Sequence, residues 1–599
     1  MARIRLRLKP REYQIEALKW ALAHDGAVLG LPTGSGKTLI AVMWVKELLS
    51  KHKVRKVLIL EPTRVLVEQV SKYFKDVADL EAIPIYGVIP KKHRVTLWRK
   101  AVVAVATPET ALNDVSEVRD SGYDAIVIDE CHHTTGKDAY AEFIRATRNL
   151  FKRRLGLSAY IPPSRVAEIR EYIGEIRTWG WNDPRIRPYV PRWIGEVYEA
   201  ELNSAEEKLL EELERRRNNL TGRERGLVQL AIRWFVRDGA LALAESLKKP
   251  TKLARLLHGI NSFITASVRP AHKLDSLVRV LNDHEGFRKA IIFIERVVIA
   301  KYVASKLRSY NSVLVCGKSN IDVNIREVLK RVKSDAVKVI VSTSAGEEGL
   351  DLPEADLLVI WSSVASPLRF IQRHGRILRA TTVRGPPKFV AYIITPNTVD
   401  TDSFVDSIEQ ARKAGVDVPV SEEVIEELWK RTTRAKILSV LEEQPMPLEW
   451  LKKVLELPED ILRASLRKMM EHGDVIYIYT HLGKTYAAVE SIDILQREFR
   501  EYLEADPSLT AKIKVLLDTN TQRTIKGTYD STSRRLRNIL KKGGRIKAIL
   551  ASMEIPLPGG AFKLVNLHYG FSITREDVLD VVLRNIYSAR RHYVNFSLR

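Results

Sequence analysis

The stretch "AVLGLPTGSGKT", residues 27–38, decides the fold class of this chain. It opens with an almost continuous apolar run, which is typical of a strand that is buried on both faces of a parallel sheet. Gly34, Ser35 and Gly36 follow, and the two glycines let backbone amides approach phosphate oxygens. A helix is expected to begin directly after them and to add its dipole. The stretch therefore predicts a phosphate-binding loop between a strand and a helix.

The end of this loop predicts how a nucleotide is held. Lys37 is expected to reach the β- and γ-phosphates of ATP, and Thr38 to place its hydroxyl on Mg²⁺. Leu31 stands where the usual pattern has its first glycine, but the strand-to-helix context is met. ATP and Mg²⁺ are therefore the predicted cofactors.

Short apolar runs alternate with segments of helical spacing on both sides of a charged, helix-like region. The runs of the first part lie at 56–62, 101–108, 124–130 and 153–159. Alternation of this kind predicts a parallel α/β domain over residues 1–160. The helix-like region covers 161–268, and the alternation resumes over 269–400. We predict two α/β domains with a helical insert between them.

The C-terminal third has a different pattern, beyond a linker predicted at 401–430. Residues 431–490 contain three helical segments and then two strands, which is the order of a winged-helix module. The third helix carries Arg463 and Arg467, and we expect both at nucleic acid.

A basic C-terminal domain is predicted over residues 491–599. Within it, residues 521–550 contain nine Lys or Arg and a single acid, Asp530. Such a tract can serve solubility alone, but this concentration favours contact with a phosphate backbone. The residues expected to make that contact are Arg534, Arg535, Lys541 and Lys542.

A second informative stretch is "VIDECHHTTGKDAY", residues 127–140. Zinc needs three or four converging ligands, whereas adjacent residues on an extended chain point in alternate directions. A Cys-His nucleophile pair fails for the same reason. A carboxylate at the end of a strand beside a phosphate loop instead holds Mg²⁺. Asp129 is therefore predicted to bind Mg²⁺, and Glu130 to orient and deprotonate the attacking water. Cys131 is assigned to packing and His132 to signalling between sites.

Cations in the second α/β domain predict the other wall of the ATP site. "SPLRFIQRHGRILRA", residues 366–380, places Gln372, Arg373, Arg376 and Arg379 at helical spacings of three and four. A solvated basic helix would give the same pattern. Beside a complete phosphate loop, we expect arginine fingers instead, with Gln372, Arg376 and Arg379 as the catalytic residues of this wall.

The net charge of +23 and the isoelectric point near 9.7 favour a polyanionic partner, most often nucleic acid. A basic surface without a partner is the alternative. Two cysteines exclude a disulfide framework. Because no run approaches the ~18 apolar residues of a membrane span and no signal peptide is evident, we expect an intracellular protein, cytoplasmic or nucleoid-associated, without membrane contact. No motif for a protein partner stands out.

Nine motifs occur in a fixed order along about 400 residues. They are "PREYQ" (10–14), "LPTGSGKT" (31–38), "EPTRVLVEQ" (61–69), "ATPET" (106–110), "DECH" (129–132), "SAY" (158–160), "IIFIER" (291–296), "STSAGEEGLDLP" (342–353) and "QRHGRILR" (372–379). In this order they resemble the motifs of superfamily 2 helicases. The resemblance implies that the two α/β domains are RecA-like.

The resemblance also implies roles for residues outside the phosphate loop. Gln14 is expected to contact the adenine base, and Gly349 and Asp351 to lie at the nucleotide. The residues expected to grip the nucleic-acid backbone are Thr63, Arg64, Thr107 and Thr343.

Within the superfamily, the chain resembles the Hef and Fanconi anaemia M helicases, relatives of the Dicer and RNA-sensor helicases. "DECHHTTGKDAYAEFI" (129–144) and "RTWGWNDPRIRPYV" (177–190) carry this likeness, whereas "QRHGRILR" is equally similar to the XPB branch. The ERKxxxD nuclease signature of archaeal Hef is not found after residue 430, so no nuclease activity is expected. Trp179, Trp181 and Trp193 are assigned to packing.

One motif departs from the family. "SAY" ends in Tyr160 where the family usually has Thr, whose hydroxyl helps to relay the state of ATP to the nucleic-acid side. A phenol reaches a different place, so we hypothesise that Tyr160 favours translocation or branch remodelling over processive unwinding.

The sequence thus predicts an ATP-dependent translocase or helicase acting on DNA, on forked or branched DNA in repair or recombination. Two enzymatic alternatives remain, an RNA-dependent ATPase or helicase and an XPB-like translocase on double-stranded DNA. A scaffold that binds without turnover is a third alternative, against which Lys37, Glu130 and Arg379 argue.

Overall fold

The computed structural model describes residues 6–189, 192–316, 325–343, 352, 354–363, 366–375, 387–416, 418–518, 521–556 and 562–589. Two compact units divide the chain, Met1–Ile425 and Glu426–Arg599. No helix within these ranges combines the length and the apolarity that crossing a bilayer requires.

The first sheet has seven parallel strands. These are β1 (Gly26–Gly30), β2 (Val57–Leu60), β3 (Ile83–Ile85), β4 (Val103–Ala106), β5 (Ala125–Ile128), β6 (Arg153–Ser158) and β7 (Glu175–Thr178). They lie in the order β3-β4-β2-β5-β6-β1-β7. Every side chain of β2, β4 and β5 is buried, as expected for parallel strands that are covered on both faces.

Eight helices belong to this first domain. They are α1 (Glu12–Ala23), α2 (Lys37–Ser50), α3 (Arg64–Ala78), α4 (Lys91–Lys100), α5 (Pro108–Asn113), α6 (Val115–Asp120), α7 (Ala139–Ala146) and α8 (Val166–Tyr172). The carboxyl ends of β1 and β5 lie at one edge of the sheet, so the phosphate loop and the Asp129-Glu130 pair meet there.

The second sheet has six parallel strands. These are β8 (Trp193–Glu199), β9 (Ala290–Phe293), β10 (Val313–Val315), β11 (Val339–Ser342), β12 (Leu357–Ile360) and β13 (Lys388–Ile394), in the order β10-β11-β9-β12-β13-β8. Two parallel α/β domains were predicted, and the two sheets confirm them.

The helices that follow β8 fall into two groups. The insert consists of α9 (Ser204–Asn218), α10 (Gly222–Asp238), α11 (Ala240–Leu247) and α12 (Lys252–Leu256). The helices around the second sheet are α13 (Leu274–Asp283), α14 (Val297–Lys306), α15 (Ile325–Val332), α16 (Pro367–His374) and α17 (Val399–Lys413). Asp238 at the end of α10 accepts a hydrogen bond from Ser362 Oγ (2.9 Å), which ties the insert to the second domain.

The segment 161–268, predicted as a helical insert, departs from that prediction at its start. β7 pairs with β1 in the first sheet, and β8 pairs with β13 in the second. The chain therefore crosses between the domains at 179–192, and the helices come after a strand of the second sheet. β7 was missed because "EIRT" is a partly exposed edge strand and lacks an apolar run.

The predicted linker at 401–430 also differs from the structure. α17 covers much of it and buries Phe404, Ile408 and Ala411. The Lys273 ammonium forms a buried ion pair with Asp400 (2.6 Å), at the start of the same helix. The part of this segment in α17 therefore belongs to the second domain, where α17 packs against α16 and β13. Its apolar residues recur at helical spacing, which was the signal in the sequence.

The C-terminal unit begins with helices and a small sheet. Its elements are α18 (Glu422–Lys430), α19 (Thr433–Glu443), β14 (Met446–Pro447), α20 (Leu448–Leu455), α21 (Glu459–His472), β15 (Val475–Thr480) and β16 (Gly483–Ala488). The three strands lie in the order β14-β16-β15. Three helices and a terminal hairpin are the elements predicted for the winged-helix module.

A four-stranded antiparallel sheet follows. Its elements are α22 (Ile492–Glu498), β17 (Ala511–Leu517), β18 (Gln522–Gly527), α23 (Tyr529–Lys541), β19 (Ile546–Pro556), β20 (Phe562–Tyr569) and α24 (Glu576–Tyr587), with the strands in the order β18-β17-β19-β20. One hydrophobic core extends from Ile437 to Ala589. The segments 431–490 and 491–599, predicted as separate domains, therefore share a core.

Candidate nucleotide-binding and catalytic site

The phosphate loop follows β1 and leads into α2. Gly34 and Gly36 have φ values of 80° and 78°, which favour glycine. A side chain at position 36 would also overlap the amide of Gln14. Lys37 Nζ donates to the carbonyl oxygens of Leu31 (3.2 Å) and Pro32 (3.5 Å), so the ammonium lies over the loop.

Gln14 and Tyr13 hold the loop from the side of α1. Gln14 Nε2 donates to Ser35 O (2.8 Å), and the Tyr13 hydroxyl donates to the same oxygen (2.6 Å). Gln14 Oε1 accepts from the backbone N–H of Arg11 (2.8 Å). The predicted adenine contact thus lies at the loop, with its amide engaged on both sides.

A pocket opens beside the loop, and sequence reasoning missed most of its lining. Arg11, Tyr13, Trp181 and Tyr189 line it together with loop residues. The Arg11 guanidinium stacks 4.5 Å from the centre of the Tyr189 ring. Two features of the sequence could have indicated this lining. Arg11 and Tyr13 are neighbours of Gln14 in "PREYQ", and Trp181 and Tyr189 lie in the aromatic stretch that leads from the first domain to the second.

The Asp129-Glu130 pair directly follows β5. Burial raises the pKa of Asp129, and the charge of Lys37 opposes that rise. Asp129 Oδ1 is buried and makes no hydrogen bond with the described residues, and the same holds for Ser35 Oγ in the loop. Glu130 has a φ of 48°, so the chain turns sharply at this residue.

Glu61 is a third carboxyl group at this position, and sequence reasoning missed it. Leu60 pairs with Ile128 in the parallel register of β2 and β5, which places Glu61 beside Asp129. The two carboxyl groups share a hydrogen bond. Burial, and then the charges of Asp129 and Glu130, raise the pKa of Glu61 well above its usual range. The pKa of Glu61 is therefore raised further above its usual range than that of Asp129.

These residues fit a nucleotide with Mg²⁺. Asp129 offers an unpartnered carboxylate oxygen near the Lys37 ammonium, and Thr38 lies in the first turn of the helix behind the loop. Hard cations prefer oxygen ligands, and Mg²⁺ commonly takes only one or two from protein. Within the described ranges, no group of three or more His, Cys, Asp or Glu side chains is arranged to hold a metal ion.

His132 connects Glu130 to the segment that ends in Tyr160. Its Nδ1 lies 3.0 Å from Ser158 Oγ and 3.3 Å from a Glu130 carboxylate oxygen. Ser158 Oγ donates to Tyr160 O (2.7 Å). Burial, and then the nearby His133 and Arg165, lower the pKa of His132 to about 3. A neutral His132 is thus placed between the catalytic carboxylate and the residue that departs from the family pattern.

The end of α16 brings the second domain to the loop. A side chain at Gly375 would overlap Thr33 of the phosphate loop. Gln372 is buried on this helix. Arg373 is buried as well and pairs with Glu295 while it donates to Ser362 O (2.6 Å), so it stabilises the domain. Gly349, Asp351, Arg376 and Arg379 lie outside the described residues.

Similarity to known proteins follows the same division of the chain. Residues 7–162 match the family model described as type III restriction enzyme, res subunit, and residues 272–381 match that of the helicase conserved C-terminal domain. The two matches agree with the superfamily 2 helicase motifs of this chain. Its relationship to the Hef and Fanconi anaemia M group agrees with the motifs.

Two relatives illustrate the range of similarity to this chain. A protein of Methanocaldococcus jannaschii, named as an ATP-dependent RNA helicase, is 27% identical over 463 residues, which are 64% of this chain and 57% of that protein. The ATP-dependent DNA helicase mph1 of Aspergillus terreus is 26% identical over 478 residues, covering 61% and 43%. The chain therefore spans about half the length of these relatives.

One solved structure is similar as well. The Pyrococcus furiosus Hef helicase domain is 26% identical, with a TM-score of 0.48, and the match covers 66% of this chain and 98% of that chain.

The residues predicted to grip nucleic acid are placed on both domains. Thr63 accepts a hydrogen bond from Leu66 N–H (3.4 Å) as the N-cap of α3, and Arg64 stacks 4.6 Å from the Tyr86 ring centre. Thr107 and Thr343 are 8% and 4% exposed. In the C-terminal unit the predicted cations are exposed: Arg463, Arg467, Arg534, Arg535, Lys541 and Lys542.

Proposed function

We propose that this protein is a nucleic-acid-dependent ATPase of the helicase type that moves along DNA and remodels forked or branched DNA. The meeting of Lys37, Asp129 and Glu130 at one edge of the first sheet, with Gly375 of the second domain against the same loop, carries the proposal. An ATP bound there touches both domains, so its hydrolysis changes how they fit together.

The residues around the ATP site have different roles in binding and hydrolysis. Backbone amides of the loop and the Lys37 ammonium bind the phosphates, and Thr38 and Asp129 would hold Mg²⁺, which neutralises phosphate charge. Glu130 accepts the proton of the attacking water. Arg376 and Arg379 stabilise charge on the γ-phosphoryl group from the second domain.

The adenine base occupies the pocket beside the loop. Stacking against Tyr189 and Arg11 is the interaction we assign to it, while the Gln14 amide holds Ser35 of the phosphate loop. Glu61 positions Asp129 through the shared hydrogen bond.

DNA is the favoured polymer, with contacts from Thr63 and Arg64 on the first domain and from Arg463, Arg467 and Arg534 on the C-terminal unit. The name of the mph1 relative supports DNA. The name of the Methanocaldococcus jannaschii relative supports an RNA-dependent ATPase as the second candidate function.

ATPase assays with a panel of polymers distinguish the DNA-dependent from the RNA-dependent function. ATP hydrolysis is measured with no polymer, single-stranded DNA, forked DNA, a four-way junction and double-stranded RNA, with Glu130→Gln as the blank. Greatest stimulation by forks or junctions is expected, and greatest stimulation by RNA would contradict the DNA assignment.

A further inference from the structure

The four-stranded sheet of the C-terminal unit has one covered face and one open face. Helices α23 and α24 pack through Leu536, Leu540 and Leu583 onto the same core as Ile513 and Ile549 of the sheet. The other face carries the alternate residues of all four strands, and these side chains are exposed or half-exposed. We name it the open sheet face, defined by Lys512, Lys514, Leu550, Lys526, Phe562 and Leu564.

The cations of the open sheet face lie on its first two strands. Lys512 of β17 stands directly opposite Lys526 of β18, and Lys514 stands opposite Thr524. Like charges directly opposite one another on a sheet destabilise it. None of the three lysines forms an ion pair with a described residue, although Glu554 of β19 lies on the same face, two residues along from Ser552, which pairs with Lys512. An anion bound over β17 and β18 would offset their repulsion.

The other half of the open sheet face is mainly apolar and polar, and it carries one acid, Glu554, opposite Leu564. Phe562 and Leu564 on the edge strand β20 are 68% and 64% exposed, and Leu550 lies between Lys514 and His568 in the register. Ser552 Oγ donates to Asn566 Oδ1 (2.6 Å) on the same face. Leu550 is directly opposite Lys514, whereas Leu564 and Phe562 lie two and four residues beyond the position on β20 that is level with Lys512. With strands about 4.8 Å apart and about 3.3 Å per residue, Leu564 and Phe562 are roughly 12 and 16 Å from Lys512, a span of about two nucleotides.

We propose that the open sheet face binds single-stranded nucleic acid. Its phosphates lie over Lys512, Lys514 and Lys526, and its bases turn toward Leu550, Phe562 and Leu564. Open four-stranded sheets that stack unpaired bases on aromatic side chains are a known way to bind single strands. This proposal rests on the proposed function only in taking nucleic acid as the polyanion, and it is independent of the ATP site.

Two other occupants fit this face less well. A duplex hides the faces of its bases, so it offers nothing for Phe562 and Leu564 to stack against. The core of a protein interface is depleted in lysine, because burying an unpaired ammonium is costly. A single strand satisfies both halves, since it presents phosphates on one side and base faces on the other.

The cations that were predicted from the sequence to contact nucleic acid do not lie on the open sheet face. Arg534 and Arg535 belong to α23, on the helical layer that covers the opposite face of the sheet. A ligand on the open sheet face therefore does not need them.

The test uses the full chain and a matched pair of charge-reversal variants. Lys512→Glu/Lys514→Glu changes the open sheet face. Lys452→Glu/Lys453→Glu makes the same change in net charge at exposed positions of α20. Affinity for fluorescein-labelled oligo(dT), oligo(U) and a blunt duplex is measured by anisotropy without nucleotide, and 5-iodouracil oligonucleotides are cross-linked to locate the contact.

The sheet variant is expected to weaken single-strand binding about tenfold or more while the α20 variant changes it less than about twofold. Phe562→Ala is expected to weaken it without any change of charge, and cross-links are expected in β17 and β20. Comparison of oligo(dT) with oligo(U) tells DNA from RNA. Equal losses in both charge variants, or a loss confined to the duplex, would overturn the proposal. Polymer-free ATPase activity should be unchanged in all three variants, which separates this result from any failure of the ATP site.

Discussion

At the scale of single residues, the sequence identified the carboxylates that follow β5 but not the one that follows β2. Asp129 and Glu130 are recognisable because they end an apolar strand within a motif. Glu61 is 68 positions earlier, and only the pairing of Leu60 with Ile128 brings it to Asp129. Pairing between strands is a tertiary property, so periodicity within one segment cannot reveal it.

Glu61 gives the first prediction. Glu61→Ala removes the hydrogen bond that orients Asp129, and losing an outer partner of a metal ligand commonly lowers metal affinity about 10- to 100-fold. The Mg²⁺ concentration for half-maximal ATP hydrolysis, and Mn²⁺ affinity followed by electron paramagnetic resonance, should both show this loss. Glu61→Gln keeps a donor and should remain within about threefold of the wild type. Equal defects in the two variants would contradict the assigned role.

Tyr160 gives the second prediction. Its backbone carbonyl accepts from Ser158, whereas its phenol makes no hydrogen bond with the described residues. Tyr160→Thr offers a smaller hydroxyl beside the His132–Ser158 pair. We expect DNA-stimulated ATP hydrolysis within about twofold of wild type and more base pairs separated per ATP, measured by paired ATPase and strand-displacement assays. If neither quantity changes, Tyr160 does not affect the coupling between ATP hydrolysis and strand separation.

At the scale of elements, the core strands and their flanking helices could be predicted from apolar runs, and the crossing at 179–192 could not. Trp179 and Trp181 are buried, as packing residues are. Trp181 also lines the pocket beside the phosphate loop, together with Tyr189. Composition indicates that aromatic residues will be buried, but it does not say which cavity they border.

Tyr189 gives the third prediction. Stacking on a base contributes about 1–3 kcal/mol, so Tyr189→Ala should raise the Kd for ATP on the order of tenfold. Tyr172→Ala is the matched control, because Tyr172 also lies under an arginine, Arg145, but outside the pocket. Binding of a fluorescent ATP analogue measures both. If Tyr189→Ala leaves the affinity for ATP unchanged, the adenine base does not bind in this pocket.

At the scale of the whole molecule, alternation of sequence types revealed two α/β domains but misplaced their borders. The first part of the linker expected at 401–430 lies in α17, which buries Phe404 and Ile408 and packs against α16 and β13 of the second domain. The winged-helix elements and the basic region share one core. The sequence had suggested two separate domains that follow one another along the chain. Borders depend on which surfaces pack together, and local patterns carry little information about that.

Three buried histidines give a prediction for the whole fold. Burial lowers the pKa of His132, His272 and His374 to about 3 in each case, against about 6.5 in an unfolded chain. Below pH ~6.5 the unfolded chain therefore binds protons that the folded chain does not. Stability should fall as the pH drops from about 6.5 toward 3, by up to about 1.4 kcal/mol per pH unit for each histidine.

Urea unfolding at pH 7.5 and pH 5.5 measures this dependence. His272→Gln/His374→Gln should lose less stability between the two values than the wild type does. An equal loss in both proteins would show that other groups set the pH dependence.

The most direct test of the central claim is ATP turnover with forked DNA, measured for the wild type and for Glu130→Gln at equal occupancy by ATP. The account predicts that DNA stimulates the wild type and that Glu130→Gln binds ATP but turns it over at least about 100-fold more slowly. A Glu130→Gln protein with wild-type turnover, or a wild type that forked DNA leaves unchanged, would contradict it.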